Sequence, residues 1–286
     1  MANDKAVCYQ INLQLSLGGG EIFTRFLTGA LQGLGFDTVL FVHADADFWP
    51  ELMPSGAMLV PVRTLAEIEA KIAVAEPLVI THSALPPEAA TRFAAKTRLT
   101  GVLHMPLYDR FPEGFRHYHR LLAVSEHVIA SAKSRGLENV HPVPLYGVAD
   151  LVPRAGARLG GGTIREAEIY DWDRRKLRDR LLGWLSGMCA ALGGPSSGKV
   201  FERRPGLTLG IVSRITPIKQ FPALFSILSA VIARFPAVNL EIFGSGGYAS
   251  VRDFKRALAP IGGQARLWGQ QNEVAAIYPQ LDYVLS

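Results

Sequence analysis

The chain has 286 residues, of which 49% are hydrophobic and 19% charged, with a net charge of +5. That balance describes a folded chain long enough for two ordinary domains and excludes a disordered one. The mild positive excess suits anionic small molecules or an anionic membrane surface. No basic stripe interleaved with aromatics points to nucleic acid. The two cysteines, Cys8 and Cys189, make no disulfide framework and suit a reducing, cytoplasmic compartment. The amino terminus lacks a signal-peptide layout, and no uncharged apolar run nears the roughly 18 residues of a membrane span.

Ala6 to Ile11 reads as a first strand. Gly18, Gly19, Gly20 and Glu21 then open a helix whose apolar positions are Ile22, Phe23, Phe26, Leu27, Ala30, Leu31 and Leu34. Thr38 to Val42 is the next strand, so the segment is a βαβ unit. Its glycines permit close approach of a ligand to the backbone at the helix start, although such turns are also glycine-rich for steric reasons alone. Met58 to Val62 reads as a strand and Leu65 to Ala75 as a helix. Leu78 to Thr81 is a buried strand ending in His82 and Ser83, and Pro86 and Pro87 start a helix reaching about Lys96. Thr100 to Leu103 is a strand ending in His104, followed by Leu121 to Val124. Ser125 caps a helix from Glu126 to Arg135. Val140 to Pro144 reads as a last short strand. This rhythm predicts a parallel, doubly wound sheet.

His82 and His104 both follow the carboxyl ends of apolar strands. An imidazole there donates to a phosphate or a sugar hydroxyl, moves a proton, or is simply a partly buried ring bonded to a loop. No Cys/His spacing marks a metal site, no Gly-x-Ser-x-Gly elbow marks a hydrolase, and no cofactor is expected.

From Leu151 the composition turns polar and glycine-rich. Asp171 is read as the cap of a helix to about Leu192, with Leu177, Leu181, Trp184, Leu185, Met188 and Leu192 on one side. Arg174, Arg175, Lys176, Arg178 and Arg180 crowd its first half. Such a helix packs on a domain or lies on an anionic membrane; packing is the expectation, because Asp171, Asp173 and Asp179 dilute the charge.

The stretch from Leu207 to Pro222 organises the second half. It opens as a buried strand through Leu209, Ile211 and Val212 and closes at a helix start marked by Pro222. Between them stand Arg214 and Lys219, where helix N–H groups and two cations favour an anion, most naturally a diphosphate. The helix carries Phe221, Leu224, Phe225, Leu228, Val231, Ile232 and Phe235 at helical spacing. Val238 to Phe243 is a strand, followed by Gly244, Ser245, Gly246 and Gly247 and a helix from Tyr248 to Leu258. The glycine spacing is not that of a dinucleotide fingerprint. Ala265 to Trp268 is a strand running into Gly269, Asn272 caps a short helix, and Asp282 to Leu285 begins another strand.

Together these marks resemble the retaining GT-B glycosyltransferases of the large family (family 4) that includes sucrose, glycogen and lipopolysaccharide glycosyltransferases. Gly18 to Glu21 is similar to the family's Gly-Gly-x-Glu loop, and Val143 to Asp150 to its Pro-Asn-Gly-Val-Asp turn. Arg214 and Lys219 match its Gly-Arg-x-x-x-x-Lys-Gly signature, Gly244 to Gly247 its Gly-x-Gly turn, and Leu267 to Gly269 the strand end that meets the base. Tyr146 replaces the turn's Asn, and Ser213 and Gln220 replace the glycines flanking the cations.

The resemblance implies an α/β fold of two Rossmann-like domains facing a cleft. The acceptor side would be 1–150, a linker or helical insertion 151–205, and an incomplete nucleotide-sugar domain 206–286. It implies transfer of a sugar from a nucleotide-sugar to a glycan, lipid or small-molecule acceptor with retention. His104 would be catalytic, and Gly19, Gly20, Arg214, Lys219, Gly244, Gly246, Trp268 and Gly269 would bind the donor. The family's Glu-x7-Glu motif would follow Asp282, so the chain is expected to be a fragment lacking those carboxylates and inactive by itself. Alternatives are a non-catalytic nucleotide-binding module and a nucleotide-sugar epimerase-like relative. The expected location is cytoplasmic, with peripheral contact at the inner membrane face as a further expectation.

Overall fold

A computed structural model describes residues 6–15, 17–72, 76–107, 113–145, 149, 151–152, 159–160, 177, 181, 184–185, 188, 200–271 and 273–285. It divides into two compact units, Met1–Asp150 and Leu151–Ser286.

In the first unit the elements are β1 (Val7–Asn12), α1 (Gly19–Gly33), β2 (Asp37–His43), α2 (Trp49–Leu52), β3 (Met58–Val62), α3 (Leu65–Lys71), β4 (Leu78–Thr81), α4 (Pro87–Ala94), β5 (Arg98–Leu103), β6 (Arg120–Ala123) and α5 (Glu126–Ser134). The strands form one sheet in the order β3-β2-β1-β4-β5-β6, every pair parallel. The order reverses between β1 and β4, which puts the crevice of a doubly wound sheet at their carboxyl ends. Helix starts follow the caps: Thr64 accepts from the amide of Glu67, and Ser125 from that of Val128.

Strand alternation splits the core between two sheet faces. Tyr9 and Ile11 join Phe41, Val79, Leu99 and Leu121 on one side. Cys8 packs with Leu27 and Leu31 of α1 on the other, and burial pushes its thiol up to about 12.

The second unit holds β7 (Leu207–Val212), α6 (Phe221–Arg234), β8 (Val238–Phe243), α7 (Tyr248–Leu258), β9 (Ala265–Leu267) and β10 (Tyr283–Val284). Its sheet is also parallel, in the order β10-β7-β8-β9, so its order reverses between β7 and β10. Phe221, Phe225, Leu228 and Ile232 of α6 pack with Leu240, Ile242 and Phe254.

Several expectations need correction. The strand expected at Val140 to Pro144 is only a bridge from Val140 to Leu121. His141 and Leu145 still donate to the carbonyls of Leu121 and Ala123, but Pro142 and Pro144 have no N–H to continue a ladder. In α1, Ala30 and Leu34 are exposed while Glu21, Thr24 and Thr28 are buried, because β1 meets the helix with polar residues. In α6, Val231 and Phe235 are exposed, and Pro222 stands second in the helix rather than first. After β9 the expected short helix is two 3₁₀ turns, Val274–Ala276 and Tyr278–Gln280.

Asn272, Tyr146, Gly147, Val148, Asp150, the cap at Asp171 and most of 151–205 lie outside the described residues. Within that segment Leu177, Leu181, Trp184, Leu185 and Met188 are helical and exposed by 40–84%, so they do not pack down as expected. Spaced along one helical face, they are left uncovered by the described core residues. No helix among the described residues is long and apolar enough to cross a membrane.

Candidate functional site

Each unit gathers predicted site residues at the carboxyl edge of its own sheet. In the first unit, β1 sends Gln10 and Asn12 toward α1, both buried. The Gln10 amide Nε2 donates to Thr28 Oγ1 at 2.7 Å, and Asn12 Nδ2 donates to Thr24 Oγ1 at 3.0 Å and Glu21 Oε1 at 3.4 Å. Thr24 and Thr28 return their hydroxyl protons to the carbonyls of Gly20 and Thr24, each at 2.8 Å. Two strand positions thus grip two successive turns of the helix that starts at Gly19. The amide of Gln14 donates to Asn12 Oδ1, which ties the loop after β1 to the same cluster.

His82 follows β4 and His104 follows β5; parallel pairing sets Thr81 opposite Gly101, so β5 runs two residues past the end of β4 before His104. The two imidazoles stack with centroids 5.5 Å apart, and His82 Nδ1 lies 3.3 Å from His104 Nε2. His82 Nε2 lies 3.3 Å from Gln10 Oε1. Phe23 of α1 meets His104 edge-on at 5.0 Å. Burial, reinforced by His104, drives His82 down to about 3; burial takes His104 down to about 4. Both rings are therefore neutral at pH 7. His82 is buried, whereas His104 is only partly so.

Gly19 and Gly20 open α1 with nothing within 4 Å of where a Cβ would stand. Nothing in the chain itself demands glycine there. Gly244 and Gly246 differ. A Cβ at Gly244, where φ is +148°, would overlap the Ser213 carbonyl, and one at Gly246 would overlap that of Ile215.

Those overlaps locate the second unit's edge. The segment after β7 is stitched to the segment after β8, with Ser213 N donating to Phe243 O at 3.0 Å and Ile215 N to Ser245 O at 2.8 Å. Gly244 N donates to Gly269 O at 2.8 Å, so the end of β9 joins the same edge. Arg214 is half-buried in this strip. Lys219 is exposed and ends the 3₁₀ turn Pro217–Lys219, one residue before the N-cap of α6. That N-cap, Gln220, has φ +50°, the left-handed region that favours glycine.

Trp268 is built inward. Its indole is 5% exposed, packs with Phe201 and Phe243, and donates to Glu241 Oε2 at 2.7 Å. The Trp268 side chain is thus turned into the core at the end of β9. Glu241 is fully buried between Arg204 and Arg266, at 3.1 and 2.6 Å, and Arg204 also donates to the Gln264 carbonyl.

The sequence reading missed Gln10, Asn12, Thr24 and Thr28, and took Glu21 only as part of the glycine loop. Their signal was present as polar residues two apart on an otherwise apolar strand and at helical spacing on α1. It emerges only once the two elements are known to face each other.

No protein-family model matches the chain, and no curated protein matches it in sequence. Solved structures do match. HepE from Anabaena, in complex with UDP-glucose, superposes with a TM-score of 0.63 over 97% of this chain and 72% of that one, at 14% identity. The pneumococcal O-GlcNAc transferase GtfA, solved with UDP and GlcNAc, has a TM-score of 0.57 over 99% and 79%, at 9% identity. A Listeria monocytogenes protein assigned as a UDP-N-acetylglucosamine 2-epimerase has 0.52 over 96% and 71%, at 13% identity.

The fold is that of the GT-B glycosyltransferases. With two Rossmann-like units of parallel sheet, the GT-B architecture also accounts for the place of the predicted residues at sheet carboxyl edges.

Proposed function

We propose that the chain acts on a nucleotide-sugar, transferring the sugar to a glycan, lipid or small-molecule acceptor with retention of configuration. The observation that carries this reading is the strip after β7. Arg214 and Lys219 flank an edge pinned backbone-to-backbone by Gly244 and Gly246, immediately before α6. Cations and helix N–H groups there suit a diphosphate, and they would carry its charge as it leaves the sugar. HepE and GtfA, of like fold, were solved with UDP and sugar.

In this reading Gly269 and Trp268 contribute backbone near the base. Gly19 and Gly20 admit the donor sugar to the start of α1, where no Cβ intervenes, and His104 contacts that sugar. The chemistry calls for no cofactor beyond the substrate. Peripheral membrane contact would fall to the exposed apolar positions from Leu177 to Met188, among the basic residues of that segment.

Calorimetry with UDP tests the core of the proposal. A charged hydrogen bond contributes about 1.5–3 kcal/mol, so Arg214→Ala or Lys219→Ala should weaken UDP binding roughly ten- to a hundredfold. Unchanged affinity in both variants would end it. The epimerase-like match supports a second reading, in which the sugar is isomerised on the nucleotide. NMR of UDP-GlcNAc incubated without acceptor separates the two, since only the second yields an epimeric nucleotide-sugar.

A further inference from the structure

The histidines carry an argument through to a defined ligand chemistry, resting on the proposed function for the identity of that ligand.

One atom of the network has a fixed role. A backbone carbonyl only accepts, so the Thr28 hydroxyl, 2.8 Å from Thr24 O, must spend its proton there. Thr28 Oγ1 is then an acceptor, and the Gln10 group 2.7 Å from it must be the amide NH₂. That orients Gln10 with its carbonyl oxygen toward His82 Nε2, which therefore carries the proton. His82 is kept neutral by burial, so its Nδ1 is a lone pair. His104 Nε2, 3.3 Å away, has one role open to it, that of donor.

His104 is neutral as well, so its own Nδ1 is left as a lone pair. Among the described residues the buried side-chain polar atoms without a partner are Trp49 Nε1 and Thr208 Oγ1. His104 Nδ1 has no partner among the described residues and is not among those buried atoms, so it is open to a visitor. Gln10 and Phe23, both uncharged, meet the pair, and Gln10 in turn meets Thr28; the carboxylate in the network, Glu21, is bonded to Asn12.

We propose that Gln10 and His82 are positioning residues that lock His104 in its Nε2–H tautomer, so that His104 Nδ1 accepts a hydrogen bond from a hydroxyl of the donor sugar and offers nothing to a phosphate. This decides between the chemistries open to the ring: it is a hydroxyl reader, set from four groups away by a helix carbonyl.

The test is ¹⁵N-¹H correlation NMR of the full chain labelled at histidine, near pH 7. The expected spectrum shows His82 and His104 both protonated at Nε2 and bare at Nδ1. In Gln10→Leu, which removes the acceptor for His82, His104 should shift to a mixture of tautomers. Affinity for UDP-glucose should then fall about two- to tenfold, the range of a neutral hydrogen bond, while affinity for UDP stays unchanged. If Gln10→Leu does not fold, the near-isostere Thr28→Val frees the Gln10 amide to flip and makes the same prediction. A His104 protonated at Nδ1 in the wild type, or a tautomer untouched by both variants, would overturn the proposal. Loss of UDP binding along with UDP-glucose binding would assign these residues to folding and overturn it too. Should the wild type bind neither probe, the proposed function fails while the NMR result still decides the tautomer.

Discussion

The two units bury polar groups in opposite ways. The first holds a neutral chain, from Thr28 through Gln10 and His82 to His104, which ends on an atom with no partner among the described residues. The second buries a charge, Glu241, and closes on itself: two arginines and the Trp268 indole occupy the carboxylate. Low dielectric makes an unpaired charge costly, so Glu241 must be saturated by its own unit, whereas a neutral network can afford an open end. The lesson extends to the glycines. Gly244 and Gly246 are required by the chain's own carbonyls, while Gly19 and Gly20 border open space. One sequence signal, glycine after a strand, therefore has an architectural cause in one unit and room for a ligand in the other.

The sharpest way to break this contrast is to open the closed cluster. Glu241→Leu strands Arg204 and Arg266 against an apolar side chain and should cost the second unit about 3 kcal/mol, near the low end for broken buried pairs because both arginines reach solvent. Hydrogen exchange should show the loss at Leu240 and Ile242 and none at Val79. Equal loss in both units would mean that the units are not energetically separate.

Next come the glycines. Gly244→Ala should destabilise the second unit by roughly 1–3 kcal/mol, since backbone rather than a pliant side chain must yield. Gly20→Ala should change the melting temperature little or raise it, because alanine in a helix gains about 0.5–1 kcal/mol over glycine. Equal cost at both positions, read by thermal unfolding, would remove the distinction drawn here.

The acid response of the first unit breaks the contrast by pH alone, without a substitution in the wild type. His82 and His104 titrate low in the folded chain and near 6.5 when unfolded, so the unfolded state takes up protons first as pH falls. Their stabilising contribution is complete above about pH 6.5 and drains as pH drops toward 4, by up to about 1.4 kcal/mol per pH unit for each ring. Denaturant titrations of wild type and His82→Gln between pH 7 and 5 should differ in slope. Parallel curves would show that His82 is not held neutral.

Much of this was legible in the chain. The strands at Met58–Val62, Leu78–Thr81 and Val238–Phe243 and the helix at Tyr248–Leu258 lie where apolar runs, prolines and glycines put them. His82 and His104 read correctly as strand-end residues. Arg214 and Lys219 read correctly as flanking a strand end and a helix start. The face of α1 did not. Periodicity favoured Ala30 and Leu34, yet Thr24 and Thr28 are buried because Gln10 and Asn12 face them. The strand end at Trp268 read as a place to meet the base, but not that its side chain is buried in the core, since nothing local announces that Glu241, 27 positions away, takes its N–H.

The sequence by itself determined what depends on neighbours along the chain: which segments become strands and helices, where Thr64 and Ser125 start helices, and where Pro142 and Pro144 stop a ladder. Local sterics and backbone hydrogen bonding decide these within a few residues. Tertiary structure alone decided that β4 and β5 lie side by side in parallel, so that two histidines 22 positions apart share a hydrogen bond. It alone decided where the proton on His104 resides. That proton's place follows from a chain of donors and acceptors spanning β1, α1, β4 and β5, and a hydrogen bond fixes its roles only when both partners are in contact.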